Sequence, residues 1–371
     1  MYEVTIIDYD HQGRGMARIN DKICFIPNTM IDEIVKINIV KDKKKFMEGE
    51  VIEYIKTNPK RIDNICPYYK TCGGCDILHL PYDEQLIYKE NKIKNIIKRY
   101  LKEDIKINNI VSSDKQFNYR NKVTLQVDKD KFGFYSKKSN DITPINKCLL
   151  LDNKLNDYIK TIDNTSEKIV LRTNGTDVLD NYNDRIIKTI GNKKYEVSLE
   201  SFFQVNDNVT YKMYEKVKEY VNSTSNDTIL DLYCGTGTIG IYLSDNCKEV
   251  LGIEINKQAI KDAKKNKELN NLDNISFIAE DVSKVINKVN IKPTIVVVDP
   301  PRAGLDEKTI KEIIKMNPNR LVYVSCDPMT LVRDLNILKY YFNIKEITPF
   351  DMFPNTYHVE SVCLLEKKVN S

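Results

Sequence analysis

Three short segments carry residue types from which a nucleophilic site can be built. Cys326 lies in Ser325-Cys326-Asp327-Pro328, directly after the strand-like run 321–324. Asp299 opens Asp299-Pro300-Pro301-Arg302 after another apolar run, and Glu360 ends His358-Val359-Glu360. Open α/β sheets bind their ligands at the carboxyl ends of strands. We therefore expect the Cys326 thiol and the Asp299 carboxylate to lie at one edge of a sheet.

A thiolate and a separate base are the groups required for covalent attack on a pyrimidine ring. Addition of a thiolate to C6 of uracil makes C5 nucleophilic enough to take a methyl group, and a base must then remove the C5 proton. Cys326 is the predicted nucleophile and Glu360 the predicted base, with His358 as the alternative base. For Cys326 taken alone, a buried structural cysteine is the competing interpretation.

The surroundings of these two residues predict the direction of their pKa shifts. Asp327-Pro328 is typical of a helix start, so we expect a helix N-terminus to lower the pKa of the Cys326 thiol. The apolar loop 350–354 before Glu360 is able to desolvate its carboxylate and raise the pKa.

A glycine-rich turn lies ahead of these segments. The run 235–240 matches the pattern G-x-G-x-x-G after an apolar strand. Glu254 ends the next strand, where an acid can bind ribose hydroxyls, and Asp281 follows the third strand. The turn fits both nicotinamide cofactors and S-adenosyl-L-methionine. The Asp299 segment favours the methyl donor, because its two prolines give a rigid loop that can press a flat base toward it.

Cysteines also form a candidate metal site. Cys66, Cys72 and Cys75 have the spacing C-x5-C-x2-C, and the isolated Cys148 is the candidate fourth ligand. A zinc ribbon normally has a second close cysteine pair, whereas thiolate-only ligation also suits an iron–sulfur cluster. The residues alone leave zinc and iron–sulfur open.

Composition is that of an ordinary globular protein. The 371 residues are 41% hydrophobic and 30% charged, with a net charge of +4 that permits a polyanionic partner without requiring one. No apolar run approaches the length needed to span a bilayer, and the first residues do not read as a secretory signal. We therefore expect a cytoplasmic protein without a membrane partner, in which structural disulfides are rare.

The elements that must position these residues fall into three predicted parts. Residues 1–57 read as short strands of a small β-barrel. Residues 58–200 contain the four cysteines, a helix over 82–102 whose lysines are expected to form mainly a solvated face, and then mostly strands. Residues 201–371 alternate apolar strands with helices, which indicates a parallel sheet covered on both faces.

The segment 325–334, with Asp351-Met352-Phe353-Pro354 and His358-Val359-Glu360, resembles the bacterial RNA uracil-5-methyltransferase family. The resemblance implies Cys326 as nucleophile, Glu360 as base and S-adenosyl-L-methionine as methyl donor, with Asp299 at the catalytic edge. The implied or expected cofactor contacts are Gln204, Tyr233, Gly235, Glu254, Asp281 and Asp299.

The cysteine loop is similar to that of the 23S rRNA branch of this family. The resemblance implies Cys66, Cys72, Cys75 and Cys148 as ligands of a [4Fe-4S] cluster, with zinc as the alternative. Gly13-Arg14-Gly15 with Phe25-Ile26-Pro27 resembles the TRAM barrel, an RNA-binding module. The predicted fold is therefore multidomain: an N-terminal TRAM-like β-barrel, a central mostly β iron–sulfur domain and a C-terminal α/β Rossmann-like methyltransferase domain.

The expected substrate is a uridine of 23S ribosomal RNA, with no obligate protein partner. A tRNA uracil-5-methyltransferase is the first alternative, although such enzymes usually lack the barrel and the cysteine loop. A cluster-bearing RNA-binding protein without catalysis and a nicotinamide dehydrogenase are the others, and the dehydrogenase has only the glycine turn in its favour. The segment between Cys148 and Ser201 is shorter than in typical members, which could alter which RNA is bound.

Overall fold

The N-terminal region is a six-stranded sheet of short strands around its own apolar cluster. The computed structural model describes residues 1–63, 65–129, 131–162 and 168–368. The six strands are β1 (Tyr2–Thr5), β2 (Asp8–Tyr9), β3 (Gly15–Ile19), β4 (Lys22–Ile26), β5 (Ile34–Asp42) and β6 (Phe46–Lys56). They pair in the order β1-β5-β6-β4-β3-β2. Alternate side chains such as Cys24, Ile26, Val35 and Ile37 pack inside, as the two-residue period of a strand dictates.

A single helix follows this sheet. Helix α1 (Tyr82–Ile96) continues as one π-helical turn (Ile97–Leu101), and Lys102 then ends it in a left-handed conformation with φ of 56°. The helix predicted over 82–102 is confirmed. The expectation of a solvated lysine face is wrong at Lys89, which is completely buried.

Burial of Lys89 is possible because the ammonium group is paired. Its Nζ atom lies 2.5 Å from Oδ1 of Asp351 and donates a second hydrogen bond of 2.9 Å to the carbonyl of Phe353. Both side chains of the ion pair are fully buried. Burial lowers the pKa of Lys89, and the neighbouring Asp351 carboxylate opposes that effect. The pair therefore fixes α1 against the loop that leads to His358 and Glu360.

The central region is a second, antiparallel sheet. Its elements are β8 (Lys122–Asp128), β9 (Lys131–Tyr135), β10 (Ile142–Pro144), α2 (Asn153–Ile159), β11 (Lys168–Thr173) and β12 (Val178–Leu179). The short strand β7 (Lys106–Ile107) precedes them, and the hairpin of β13 (Ile186–Ile190) and β14 (Lys193–Val197) follows them. Five strands pair in the order β10-β9-β8-β11-β12, and β13 pairs with β14 alone. Leu155 and Ile159 of α2 pack on this sheet with Val123, Leu125 and Leu171.

The C-terminal region is an α/β unit with an eight-stranded sheet. Its elements are α3 (Asp207–Val221), β15 (Thr228–Leu232), α4 (Thr238–Leu243), β16 (Glu249–Glu254), α5 (Lys257–Leu269), β17 (Ile275–Ala279), α6 (Val282–Val285), β18 (Ile295–Val298), α7 (Glu307–Met316), β19 (Arg320–Ser325), α8 (Pro328–Leu338), β20 (Phe342–Phe350) and β21 (Glu360–Lys367). The strand order is β17-β16-β15-β18-β19-β21-β20-β7. Strands β15 to β19 are parallel, and β21 is antiparallel to both β19 and β20.

Both faces of this sheet are covered, which explains the continuous apolar runs in its strands. In β18, Ile295 and Val297 join one apolar cluster while Val296 and Val298 join the cluster on the opposite face. Such strands are expected where helices cover both sides of a parallel sheet. Within the ranges that the structure describes, no helix combines the length and apolar character needed to cross a bilayer.

Replacing Lys89 by alanine should destabilise the protein strongly, because it leaves the Asp351 carboxylate buried without its counter-ion. We expect the free energy of unfolding to fall by about 3–5 kcal/mol, measured by urea denaturation. Lys94→Ala is the matched control, because Lys94 lies on the same helix and pairs with Glu90 at 2.6 Å on an exposed face. That change should cost less than about 1 kcal/mol. Equal losses for the two variants would contradict the structural role given to the buried pair.

Candidate active site

The glycine turn between β15 and α4 is shaped by backbone conformation and by two carboxylates. Gly235 and Gly237 have φ of 54° and 77°, and a side chain on Gly237 would meet the Phe277 ring at 2.8 Å. The Gly235 amide donates to the Glu254 carboxylate at 3.2 Å. The Gly240 amide donates to Oδ2 of Asp231 at 2.9 Å. The turn is therefore a tight bend. It is open at Gly235, where a Cβ atom would have no other atom within 4 Å apart from those of Gly235 and its two chain neighbours.

Strand pairing brings three of the predicted cofactor residues into one row. Leu232 pairs with Ile253 on one side and Val298 on the other, so the next residues, Tyr233, Glu254 and Asp299, follow adjacent strand ends. Tyr233 has φ of 62°, and its hydroxyl lies 3.4 Å from Asp306. The switch in strand order between β15 and β18 occurs here, which is where open α/β sheets bind ligands.

The other two predicted cofactor residues lie at the margins of this row. Asp281 caps α6, accepting the Ser283 amide at 2.9 Å, two residues after β17. Gln204 is buried shortly before α3, and its carbonyl accepts a hydrogen bond of 3.1 Å from Asn121 of the central region. Thr238, at the start of α4, accepts a hydrogen bond from the Tyr214 hydroxyl at 2.8 Å.

Cys326 lies between β19 and α8, at the same edge of the sheet. Asp327 caps α8 by accepting the amides of Met329 and Thr330, and Pro328 occupies the first turn. The helix start predicted after Cys326 is therefore confirmed. Ser325 pairs with Ser361 of the antiparallel β21. Because antiparallel strands run in opposite directions, Cys326 and Glu360 both lie one step beyond that pair, on facing chains.

Burial shifts the thiol and its neighbouring carboxylates toward their protonated forms. The pKa of Cys326 is raised to about 12 by burial and by the charges of Glu360 and Asp299, which outweigh the opposing effect of Arg302. Burial also raises the pKa of Glu360 to about 8 and that of Asp299 to about 7. The upward shift predicted for Glu360 is confirmed. The lowering predicted for Cys326 is wrong for this state of the protein, because desolvation and two nearby acids dominate.

The cavity that contains Cys326 has a volume of about 200 Å³ and includes residues that the sequence did not single out. His11 and Gln12, from the loop between β2 and β3, line it together with Arg302, Tyr357 and His358. No local pattern marks His11 or Gln12, since they reach the cavity only through packing of the N-terminal sheet against the rest of the chain. Arg302 belongs to the segment that opens with Asp299, so its place at this edge follows from the sequence.

His358 is poorly suited to act as a positively charged group. Burial and the nearby cations Arg302, Lys92 and Lys89 lower its pKa to about 4. Its ring lies 4.2 Å from that of Tyr357, and its Nδ1 atom lies 3.5 Å from the Arg302 guanidinium. The neutral ring thus forms part of a wall beside Cys326.

The four cysteines of the candidate metal site line a single cavity of about 340 Å³. Burial raises the pKa values of Cys72, Cys75 and Cys148, and the neighbouring cysteines add to each shift. However, the described residues contain no group of three or more His, Cys, Asp or Glu side chains placed to hold a metal ion. The donor chemistry and the shared cavity fit a thiolate-ligated group, whereas the present side-chain positions do not form a closed ligand set.

The charge of Glu360 should control the reactivity of Cys326. Above pH 8 the Glu360 carboxylate is ionised, and its charge raises the pKa of the Cys326 thiol. Glu360→Gln should therefore lower the thiol pKa, and alkylation of Cys326 by iodoacetamide at pH 9 should become several-fold faster. Labelling of the Cys326 peptide is measured by mass spectrometry across a pH series. Glu307→Gln, which changes an exposed acid on α7, should leave the rate unchanged. A slower or unaltered rate in Glu360→Gln would refute the coupling.

Comparisons with known proteins agree with this arrangement. The family described as tRNA (Uracil-5-)-methyltransferase matches residues 161–368, and the TRAM domain matches residues 1–52. An RNA methyltransferase of Clostridium acetobutylicum, described as uncharacterized, is 33% identical, covering 99% of this chain and 97% of that protein. One from Staphylococcus aureus, similarly described, is 32% identical, covering 98% and 97%. The Clostridium alignment spans 446 positions, more than the 371 residues of this chain, so that relative has residues this chain lacks.

A solved structure extends the likeness to the whole fold. The crystal structure of Pyrococcus abyssi tRNA (uracil-54, C5)-methyltransferase in complex with S-adenosyl-L-homocysteine has a TM-score of 0.78 and is 26% identical. The match covers 98% of this chain and 100% of that one. These findings support S-adenosyl-L-methionine over a nicotinamide cofactor, and an enzyme over a purely RNA-binding protein. The chain belongs to the RNA (uracil-5-)-methyltransferase family, with an N-terminal TRAM domain and a C-terminal methyltransferase domain.

Proposed function

We propose that this enzyme methylates C5 of a uridine in 23S ribosomal RNA, with Cys326 as nucleophile and Glu360 as base. The observation that carries the proposal is the meeting of these two residues at the sheet edge that also contains the glycine turn. The pairing of Ser325 with Ser361 supports it directly, since it aligns the ends of β19 and β21. A base inside folded RNA must be flipped out of its stack to reach such a cavity.

The first step is covalent. Cys326 gives its proton to solvent and its sulfur adds to C6 of uracil, so that a C6–S bond forms and the C5–C6 π electrons move into an enolate. Bound S-adenosyl-L-methionine would supply the electrophilic methyl group. The C5 electron pair of the enolate forms the new carbon–carbon bond while the bond from the methyl group to the sulfonium sulfur breaks, which leaves S-adenosyl-L-homocysteine. Since the resting thiol has a pKa of about 12, proton removal must accompany addition. Arg302 favours the ionised thiol and thereby assists this step.

The second step needs a base. Once C5 carries both a methyl group and a proton, the Glu360 carboxylate accepts that proton. The released electron pair restores the C5–C6 double bond, and the C6–S bond breaks to return the Cys326 thiolate. A carboxylate with a pKa of about 8 is a stronger base than a solvated one and remains partly ionised near neutral pH. Asp299, with a pKa of about 7, lies close enough to raise the pKa of Glu360.

The row of strand-end residues would hold the methyl donor. Glu254, Tyr233 and Asp299 follow neighbouring strands, which fits a ligand that extends across the edge of the sheet. Gln204, Gly235 and Asp281 complete the proposed contact set. Open space at Gly235 supports an approach of the ligand to the backbone there.

We further propose that Cys66, Cys72, Cys75 and Cys148 hold a [4Fe-4S] cluster, with zinc as the alternative. Four thiols around one cavity suit thiolate ligation, and ligand binding would deprotonate thiols whose pKa values burial raises. The methylation steps need no electron. The cluster would therefore act structurally, by shaping the surface between the cysteine loop and the central sheet.

Two observations bear on the choice between rRNA and tRNA as substrate. The cysteine spacing favours 23S rRNA, whereas the Pyrococcus enzyme named for uracil-54 of tRNA matches 98% of this chain. The presence of an N-terminal barrel therefore does not argue against tRNA, and tRNA is the second candidate substrate. Methyl transfer to RNA from a strain that lacks this protein, followed by separation of 23S rRNA from tRNA, distinguishes the two.

Removal of the Cys326 thiol should abolish methyl transfer without affecting the cofactor site. Cys326→Ala should give no transfer of labelled methyl groups to that RNA, while S-adenosyl-L-homocysteine should bind with unchanged affinity in calorimetry. Cys247→Ala is the matched control, since it removes another partly buried thiol away from the catalytic edge. Residual activity of Cys326→Ala near the wild-type level would refute the covalent mechanism.

The cysteine site predicts a defined metal content. Protein purified without oxygen should contain iron and acid-labile sulfide, and Cys148→Ser should lose both while Cys247→Ser retains them. Metal analysis and sulfide assays measure these contents. Stoichiometric zinc without sulfide would show that the alternative metal is correct.

A further inference from the structure

A second hollow adjoins the cavity of Cys326. It has a volume of about 550 Å³ and lies between the loop that carries Gln12 and Arg14, the cysteine loop at Gly73 and the residues 135–138 at the end of β9. Gln12 and Tyr357 line both this hollow and the Cys326 cavity, so the two lie side by side. We call this hollow, together with Tyr357, the flanking groove.

The walls of the flanking groove are joined to each other by backbone contacts. The Gly73 amide donates to the carbonyl of Tyr135 at 2.9 Å, and the Lys137 amide donates to the carbonyl of Thr71 at 2.7 Å. On the opposite wall, Gly13 has φ of 74°, and a side chain there would meet Ile77 at 2.4 Å. The loop of the N-terminal sheet therefore packs closely on the segment after the cysteines, and the groove is formed before any ligand binds.

The lining combines aromatic rings with positive charge. The Tyr135 side chain is 49% exposed. The Tyr357 ring is already in contact with protein groups, since the His358 ring lies 4.2 Å away, tilted by 35°, and the Lys92 ammonium lies over it at 5.0 Å. Lys138 is exposed, whereas Lys137 lies over the Tyr69 ring at 4.1 Å. Arg14 also lines the groove, and its guanidinium is paired with Asp10 at 2.7 Å. Asp76 is the one acid among the described residues of the lining, and its carboxylate accepts a hydrogen bond of 3.4 Å from the Tyr357 amide. The groove thus offers flat apolar surfaces beside cations.

We propose that the flanking groove binds the single-stranded nucleotides next to the target uridine, with a base against Tyr135 and phosphates near Lys137 and Lys138. The proposal rests on the proposed function, because a uridine that enters the Cys326 cavity leaves unstacked neighbours at its entrance. Single strands bind to grooves that combine aromatic platforms with cations, since every base has a flat face to stack. Bases inside a duplex are already stacked on each other and are not available to stack on the Tyr135 ring.

Binding of fluorescein-labelled decauridylate to the full-length protein, measured by anisotropy, tests the aromatic part. Tyr135→Ala should raise Kd about five-fold or more, the loss expected for one stacked base. Tyr135→Phe should stay within about two-fold of wild type, because it keeps the ring and the stacking. Tyr182→Ala is the matched control, since Tyr182 is 50% exposed and lies outside the groove lining. Its Kd should not change.

The salt dependence of the same binding tests the cationic part. Lys138→Ala should reduce the slope of log Kd against log salt by about 0.7, the value for one phosphate contact of a single strand. Lys129→Ala is the control, because Lys129 is also exposed, follows a strand of the same sheet and shares a positive φ, 55° against 63° for Lys138. Its slope should equal that of the wild type.

The outcomes separate this proposal from the proposed function. Equal affinities for Tyr135→Ala and Tyr182→Ala, or equal competition by an RNA duplex of the same length, would overturn the groove even if methylation is intact. A groove effect on decauridylate in a protein that transfers no methyl group would support the groove and overturn the proposed function. Methylation with a raised KM and an unchanged kcat in Tyr135→Ala would support both.

Discussion

The antiparallel pairing of β21 with β19 is the constraint on which the proposed site depends. The other central strands are parallel, so a chain that arrived in that direction would place its carboxyl end, not its amino end, at the ligand edge. Because β21 runs in the opposite direction, its first residue, Glu360, reaches the edge where β19 delivers Cys326. The buried pair of Lys89 and Asp351 holds the loop before β21 against α1, so the approach to Glu360 is fixed from a distant part of the chain.

Burial at this edge links packing to chemistry. The packing that covers both faces of the sheet also buries Cys326, Glu360 and Asp299, and this burial raises the pKa of all three groups. Arg302 is the cation that opposes these shifts at Cys326 and Glu360. A protonated thiol and a base with a pKa near 8 are consistent with a reaction that begins only when a uracil ring occupies the cavity. The loop of the N-terminal sheet closes one side of this cavity with His11 and Gln12.

Much of this arrangement can be predicted from the sequence, because buried parallel strands are continuous apolar runs. Glu254, Asp299 and Cys326 lie at or directly after strand ends, as expected. The burial of Lys89 and the presence of His11 and Gln12 at the cavity could not be predicted. They depend on contacts between residues far apart in the chain, for which no local periodicity exists. The direction of the Cys326 pKa shift also could not be predicted, because it depends on burial of the thiol and on the charges of Glu360 and Asp299, which lie far away in the chain.

The covalent bond between Cys326 and uracil is the central claim, and its accumulation tests that claim most directly. Glu360→Gln should form the bond and then stall, because no base removes the C5 proton. The variant is incubated with S-adenosyl-L-methionine and RNA from a strain that lacks this protein, digested, and analysed by mass spectrometry. The account predicts a methylated uridine attached to the Cys326 peptide. Full turnover without an adduct, or an adduct at another cysteine, would contradict it.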